Sequence, residues 1–228
     1  MEYNSNSDMK ILDSETIKEV RSINGKYLYY GFVSGSVKIL QNQLELNRIN
    51  VYPVNDKDTG SNLASTIREV IDNISPNKSY KITIGNIANA ALVGARGNSG
   101  VIFAQFLYGL SNETQNKDRI TLPEFIDSVK KSIPYIYDAI GNPVEGTMLT
   151  VIREWSDFLN SKKGIFHDFK KVIIDSLSAL EKSLYETTYK LKELNQYGFV
   201  DAGAKGFVLF IQGVIDFILN GNIRKLIM

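Results

Sequence analysis

Asp56 and Asp58 stand two residues apart in Asn50-Val-Tyr-Pro-Val-Asn-Asp-Lys-Asp-Thr-Gly-Ser-Asn62. Paired carboxylates in a loop suit Mg²⁺, which takes oxygen ligands, commonly one or two carboxylates with phosphate oxygens, and keeps several waters. Pro53 restricts the loop, and Gly60 leads into a helical pattern carried by Leu63, Ile67, Val70, Ile71 and Ile74. The unpaired first-turn amides of that helix would point back at the loop and suit phosphate. The same Asp and Asn residues equally suit an Asx-rich turn that caps a helix without any ligand. Both readings stay open on this stretch alone.

Three more glycine-containing loops fall at helix boundaries: Arg96 to Gly100, Glu145 to Met148, and Asp201 to Gly206. Glycine lets backbone amides approach a ligand closely, so four such loops at one end of a bundle would cradle a polyphosphate. Taken singly, each is an ordinary helix cap.

The elements that must position these loops read as helices. An apolar stripe of Leu28, Phe32, Val33, Val37, Leu40 and Leu44 follows Asn24 and tolerates Gly31 and Gly35, which mark a close helix approach. Ile84, Ile87, Ala88, Ala91, Leu92 and Ala95 predict a tightly packed helix, and Val101 to Leu110 a central one. Thr121-Leu-Pro-Glu124 has capping-box spacing and opens a helix through Ile140 despite Pro134. Further helices run from Met148 to Leu159, along Phe166, Phe169, Ile173, Leu177, Leu180 and Leu184, and from the Gly198–Gly206 loop to Ile218. Tyr80 to Ile84 is the one stretch with strand character. The expectation is an all-α barrel or bundle of about eight antiparallel helices.

A chain of 228 residues with 43% hydrophobic and 22% charged residues suits a globular domain with a sizeable core. Its formal net charge of +1 makes no electrostatic case for nucleic acid or an anionic membrane. Without cysteine there are no disulfides, thiolate metal sites or cysteine nucleophiles. The N-terminus lacks the basic and apolar regions of a signal peptide. The longest apolar run, Phe199 to Leu219, is interrupted by Asp201, Lys205 and Asp216, so no membrane insertion and a cytoplasmic location are expected.

Together the Asn50–Asn62 stretch, Leu92-Val-Gly-Ala-Arg-Gly-Asn-Ser-Gly100, Pro143-Val-Glu-Gly-Thr-Met-Leu-Thr150 and Gly198-Phe-Val-Asp-Ala-Gly-Ala-Lys-Gly206 closely resemble the N-terminal nucleotide-binding domain of bacterial fatty acid kinases. That domain is of the dihydroxyacetone kinase L-subunit (DhaL) type. The resemblance runs from about Ile23 to Leu219 and implies a helical barrel with Mg²⁺, two ions in the expectation, and ATP or ADP at one end. It makes Asp56 and Asp58 metal ligands, with Asn50 near a further metal-binding position. Thr59, Gly60, Ser61 and Asn62, then Asn98, Ser99 and Gly100, match phosphate-side segments. Gly146, Thr147 and Met148 match another nucleotide-contacting segment, and Asp201 and Gly203 a loop near the nucleoside. Arg96 is a candidate for neutralising transition-state charge, or a surface residue.

The resemblance further implies phosphoryl transfer from ATP to a fatty acid carboxylate presented by a DegV-like fatty-acid-binding protein, and a possible homodimer of a longer protein. The expected domain spans residues 23–220, with a partly disordered extension at 1–22 and the domain's end or a linker at 221–228. Fatty acid kinases usually read Pro-Asp-Gly-Asp-Thr-Gly-Thr-Asn where this chain has Asn55, Lys57 and Ser61. Lys57 costs backbone freedom if its position needs positive φ, and it places an ammonium between two metal ligands. A non-catalytic nucleotide-binding module and a small-molecule kinase subunit are the rival readings. An EF-hand and a Walker P-loop both fail on spacing. His167 is remote from every motif and reads as structural.

Overall fold

A computed structural model of the chain describes residues 19–220. The expected extension lies outside the described residues up to residue 18, and the expected C-terminal segment 221–228 lies outside them entirely. In chain order the described elements are β1 (Ser22–Asn24), α1 (Gly25–Gln41), α2 (Gln43–Ile49), α3 (Thr59–Asn73), α4 (Tyr80–Gly94), α5 (Gly97–Glu113), β2 (Arg119–Thr121), α6 (Leu122–Asp138), α7 (Met148–Lys162), α8 (Phe169–Lys190), α9 (Lys192–Tyr197) and α10 (Ala202–Asn220). Eight of these helices are long. The all-α expectation therefore holds, with α2, α9 and a small ribbon as additions.

Neighbouring helices close a ring: α1 packs on α10, α10 on α8, α8 on α7, α7 on α6, α6 on α5, α5 on α4, and α4 on α1, with α3 against α4 and α5. The long helices α3, α5, α7 and α10 start at one end of this barrel, where the others finish. At the opposite end β1 pairs antiparallel with β2, Ser22 opposite Thr121. The same end is tied by Gly25 N to Lys78 O (3.0 Å), Tyr80 N to Asp118 O (3.0 Å) and Phe169 N to Val20 O (2.9 Å).

Local chemistry explains most boundaries. The Asn24 carboxamide accepts from Tyr27 N and caps α1. Asp168 caps α8 while also accepting from Val20 N. Thr121 N donates to the Glu124 carboxylate at 2.7 Å, the reciprocal half of the capping box, and Pro134 is accommodated inside α6. Tyr80 to Ile84 is helical, with Ser79 as N-cap and Tyr80 fully buried.

The stripe expected through Leu44 is broken. The helix stops at Asn42, which resets the phase, so Leu46 and Ile49 are buried and Leu44 is 82% exposed. Phe32, Phe103 and Phe210 meet edge-on or tilted in the interior, as do Phe106, Trp155 and Phe207. Each fully buried side chain of this size contributes roughly 1.5–3 kcal/mol. By length and a mean hydropathy of 1.6, α10 reaches the range of a membrane-crossing helix, against the sequence expectation, but most of it is buried inside the barrel.

Candidate functional site

Asn50 organises the first loop. Its buried carboxamide accepts through Oδ1 from Asp58 N (3.2 Å) and Thr59 N (2.9 Å), and donates through Nδ2 to Tyr52 O and Val54 O, both at 3.3 Å. One side chain thus closes the loop on itself. Asn47 does the same one turn further on, accepting from Ser61 N (3.0 Å) and donating to Ser61 Oγ (3.0 Å). Gly60 is required where it is, because a Cβ there would lie 2.2 Å from Gln43 O. The Asx-type capping expected as the alternative for this stretch is therefore present, supplied by Asn50 and Asn47. Two first-turn amides of α3 are already taken, contrary to the expectation that they face the site unpaired. With both Oδ1 acceptor positions used, Asn50 acts as the loop's fastener.

The loop holds Asp56 exposed and Asp58 half-exposed. Among the described residues neither carboxylate has a hydrogen-bond or ion-pair partner. Two unpartnered carboxylates, with room for water and an anionic ligand's oxygens, are a donor set that fits Mg²⁺.

Free backbone donors come from α5. Ala95 and Arg96 are extended, Gly97 turns at φ 58°, and the helix starts without a side-chain cap. Among the described residues the amides of Gly97, Asn98 and Ser99 have no acceptor. The first turn of α5 rests on α3, since a Cβ at Gly97 would lie 2.3 Å from Asn62 Nδ2 and one at Gly100 would lie 2.6 Å from Thr66 Oγ1. Arg96 faces elsewhere: its exposed guanidinium donates to Val93 O and Ala95 O at the end of α4.

Three sequence stretches meet at Gly203. A Cβ placed there would be 3.0 Å from Ser99 Oγ, 3.3 Å from Asp201 Oδ1 and 3.3 Å from Met148 Cε. Asp201 is buried, with its amide bonded to Thr187 Oγ1 and its carboxylate accepting from Ala204 N at 2.7 Å. Burial pushes its carboxyl up to about 6, although the backbone amides of Ala204, Met148 and Gly203 favour the ionised form.

These parts enclose a cleft of about 420 Å³, within the range of small-molecule sites. Of the residues expected in the site, Asn50, Asp56, Asp58, Thr59, Asn62, Asn98, Ser99, Thr147, Met148 and Asp201 line it. Gly60, Ser61, Gly100, Gly146 and Gly203 shape its walls from behind, and Arg96 stays outside. The wall also includes Tyr52, Ile102, Ile140, Asn142, Val144 and Leu149. Val144 falls within the Pro143–Thr150 motif, Asn142 just precedes it, and Ile102, Ile140 and Leu149 read as core.

Residues 53–216 match the DAK2 domain family. This chain is a member of that family. It is 33% identical over 198 residues to an uncharacterized protein of Staphylococcus saprophyticus, covering 86% of this chain and 36% of that protein. With Protein YloV of Bacillus subtilis it shares 31% over 205 residues, 86% of this chain and 36% of the relative. The chain spans about a third of the length of these curated relatives. In fold it resembles the dihydroxyacetone kinase from C. freundii, solved in complex with AMP-PNP and Mg²⁺, with a TM-score of 0.63 at 15% identity over 94% of this chain and 38% of that one.

Within this DAK2 domain, Lys57 adopts φ 56°. A lysine held there costs roughly 1–2 kcal/mol, and glycine loses roughly 0.5–1 kcal/mol more chain entropy on folding, so Lys57→Gly is expected to raise stability by roughly 0.5–1 kcal/mol. Mg²⁺ affinity measured on the same variant reads the charge separately: tighter binding means the ammonium opposes the metal, and weaker ATP binding means it contacts phosphate. Unchanged stability and unchanged affinities would show a relaxed, solvent-facing side chain.

Asp201 gives the domain a pH signature. Its folded carboxyl titrates near 6, against about 4 when unfolded. The folded state therefore holds that proton more tightly, and the contribution present below pH 4 is lost as pH rises to 6. Asp201→Asn should flatten this slope in denaturant titrations and raise stability at pH 7 by roughly 1–3 kcal/mol. A slope that persists in the variant would assign it to another group.

Proposed function

We propose that this DAK2 domain binds Mg·ATP and supplies the donor half of a phosphoryl transfer. The observation that carries this is that two carboxylates without partners among the described residues, Asp56 and Asp58, line one cleft with Gly97, Asn98 and Ser99, whose amides are uncapped. The carboxylates would hold the cation and the amides the phosphate oxygens. When bound, Mg²⁺ supplies charge neutralisation to the phosphates. Asn50 keeps both carboxylates in place, Ser99 and Thr147 add hydroxyls, and Asp201 fixes the first turns of α7 and α10 beside the nucleoside. Catalysis is then positional and electrostatic, with an acceptor attacking in line.

The motif resemblance supports a fatty acid carboxylate as acceptor, brought by a DegV-like partner to a longer, homodimeric, cytoplasmic protein. A carboxylate is ionised at neutral pH and needs no general base to attack phosphorus. We take residues 23–220 as the domain and Asp56 and Asp58 as ligands of two Mg²⁺ ions. Arg96 is assigned to capping α4.

Calorimetric titration with ADP, with and without Mg²⁺, tests the reading. Tight Mg²⁺-dependent binding is expected. Folded protein that binds no nucleotide under either condition would sink it.

A further inference from the structure

Glu145 lies in a loop that forms one wall of the cleft, yet its own side chain is not on that wall. The wall positions are Asn142, Val144 and Thr147. On the outer side, the Glu145 carboxylate accepts from Tyr137 Oη (2.8 Å) on α6 and from Thr150 Oγ1 (2.5 Å) and Arg153 Nη2 (2.9 Å) on α7. Arg153 Nε also donates to Tyr137 Oη at 3.2 Å, and Thr150 Oγ1 accepts from Gly146 N at 2.7 Å. The two helices and the loop are therefore joined through a single carboxylate.

The loop has little room to move while these bonds hold. Gly146 is buried at φ 88°, where a Cβ would come within 2.6 Å of Lys190 Cβ, so the backbone lies directly against the last turn of α8. Lys190 in turn donates to Glu154 on α7 at 3.1 Å. Thr147 Oγ1 donates to Val144 O at 2.8 Å and sets the turn that enters α7. Partial burial opposes ionisation of Glu145, but hydrogen bonds from Thr150, Tyr137 and Arg153 outweigh it and hold its carboxyl below the usual range.

We propose that Glu145 is a positioning residue: with Tyr137, Thr150 and Arg153 it clasps the 141–147 loop so that Thr147 and Val144 form a fixed wall for the ligand. This rests on the nucleotide reading of the cleft and extends it to a residue that touches no ligand. The Glu145–Arg153 pair is half-exposed, and Arg153 keeps Glu154 (3.6 Å) and Asp157 (3.9 Å) as partners when Glu145 is removed, so the effect of losing the clasp falls on the loop rather than on the barrel.

The test compares the parent, Glu145→Ala, Glu145→Gln, Arg153→Ala and the Glu145→Ala/Arg153→Ala double variant by amide hydrogen exchange, thermal melting and Mg·ADP titration. In Glu145→Ala, exchange at the Gly146 amide, which donates to Thr150 Oγ1 in the clasp, should accelerate at least about tenfold and the ADP Kd should rise about tenfold, while the melting temperature moves by no more than a few degrees. Glu145→Gln keeps an acceptor oxygen and loses the charge, so it should fall between parent and alanine. The double variant should bind no more weakly than Glu145→Ala, because both changes break one network. Unaltered exchange in Glu145→Ala would overturn the clasp, as would faster exchange with unchanged affinity or a loss of affinity matched by global unfolding. A parent that binds no ADP would defeat the nucleotide reading instead, and the exchange comparison would still decide whether Glu145 fastens the loop.

Discussion

Replacing Asp56 or Asp58 with alanine should weaken Mg²⁺-dependent ADP binding by at least about 100-fold, close to 3 kcal/mol, while leaving the melting temperature of the free protein nearly unchanged. Both halves follow from the loop. Among the described residues neither carboxylate has a partner, so deleting one uncovers no buried donor there and removes no core contact. The backbone of the loop is fixed by the Asn50 carboxamide, which bonds the amide of Asp58 and leaves its side chain free. On the proposed reading, what disappears is one anionic oxygen ligand of Mg²⁺, with no third carboxylate beside it to substitute: among the described residues no group of three or more such ligands exists. Titration of each variant beside the parent measures the loss. Affinity equal to the parent's would remove that residue from the metal site.

The largest stability effect is expected at the crossing of α1 and α10. A Cβ on Gly213 would sit 2.5 Å from Ser34 O, 2.7 Å from Gly35 Cα and 2.9 Å from Ser34 C, all backbone atoms that cannot rotate aside. Ser34 Oγ already donates to Gly213 O at 2.6 Å, so the two helices are locked at that separation. Alanine gains about 1 kcal/mol of helix propensity over glycine. Overpacking against rigid atoms costs about 3 kcal/mol or more, leaving Gly213→Ala roughly 2 kcal/mol less stable. For a domain of this size that lowers the melting temperature by about 4–8 °C. Gly141→Ala, with nothing within 4 Å of the new carbon, is the matched control and should melt with the parent. A Gly213→Ala melt equal to the parent's would mean that the helices can separate at little cost.

Gly31 and Gly35 already suggested close helix approach in the sequence, and Gly35 meets that expectation against Phe210. The site was legible for the same reason: Asp, Asn and Gly at short spacing carry local chemistry that periodicity does not hide. What escaped depended on distance or phase. Ser22–Asn24 pairs with Arg119–Thr121 across almost half the chain, and three residues show no alternation worth reading. Leu44 was assigned to the wrong face because one break at Asn42 shifts everything after it. Ile102, Ile140 and Leu149 reach the cleft from apolar faces that look identical to core. Asn50 was read as a metal neighbour, and only its four hydrogen bonds reveal a fastener.

The contact between α1 and α10 also imposes an order in time. A chain leaving the ribosome exposes α1 long before α10, and α1 must wait through all the intervening helices for its principal neighbour. Asp201 and Gly203, which join the first turns of α5 and α7, belong to that same late segment. Until it docks, the loop carrying Asp56 and Asp58 and the amides of Gly97 to Ser99 have no common floor. The cleft is therefore complete only once α10 has been made and has docked.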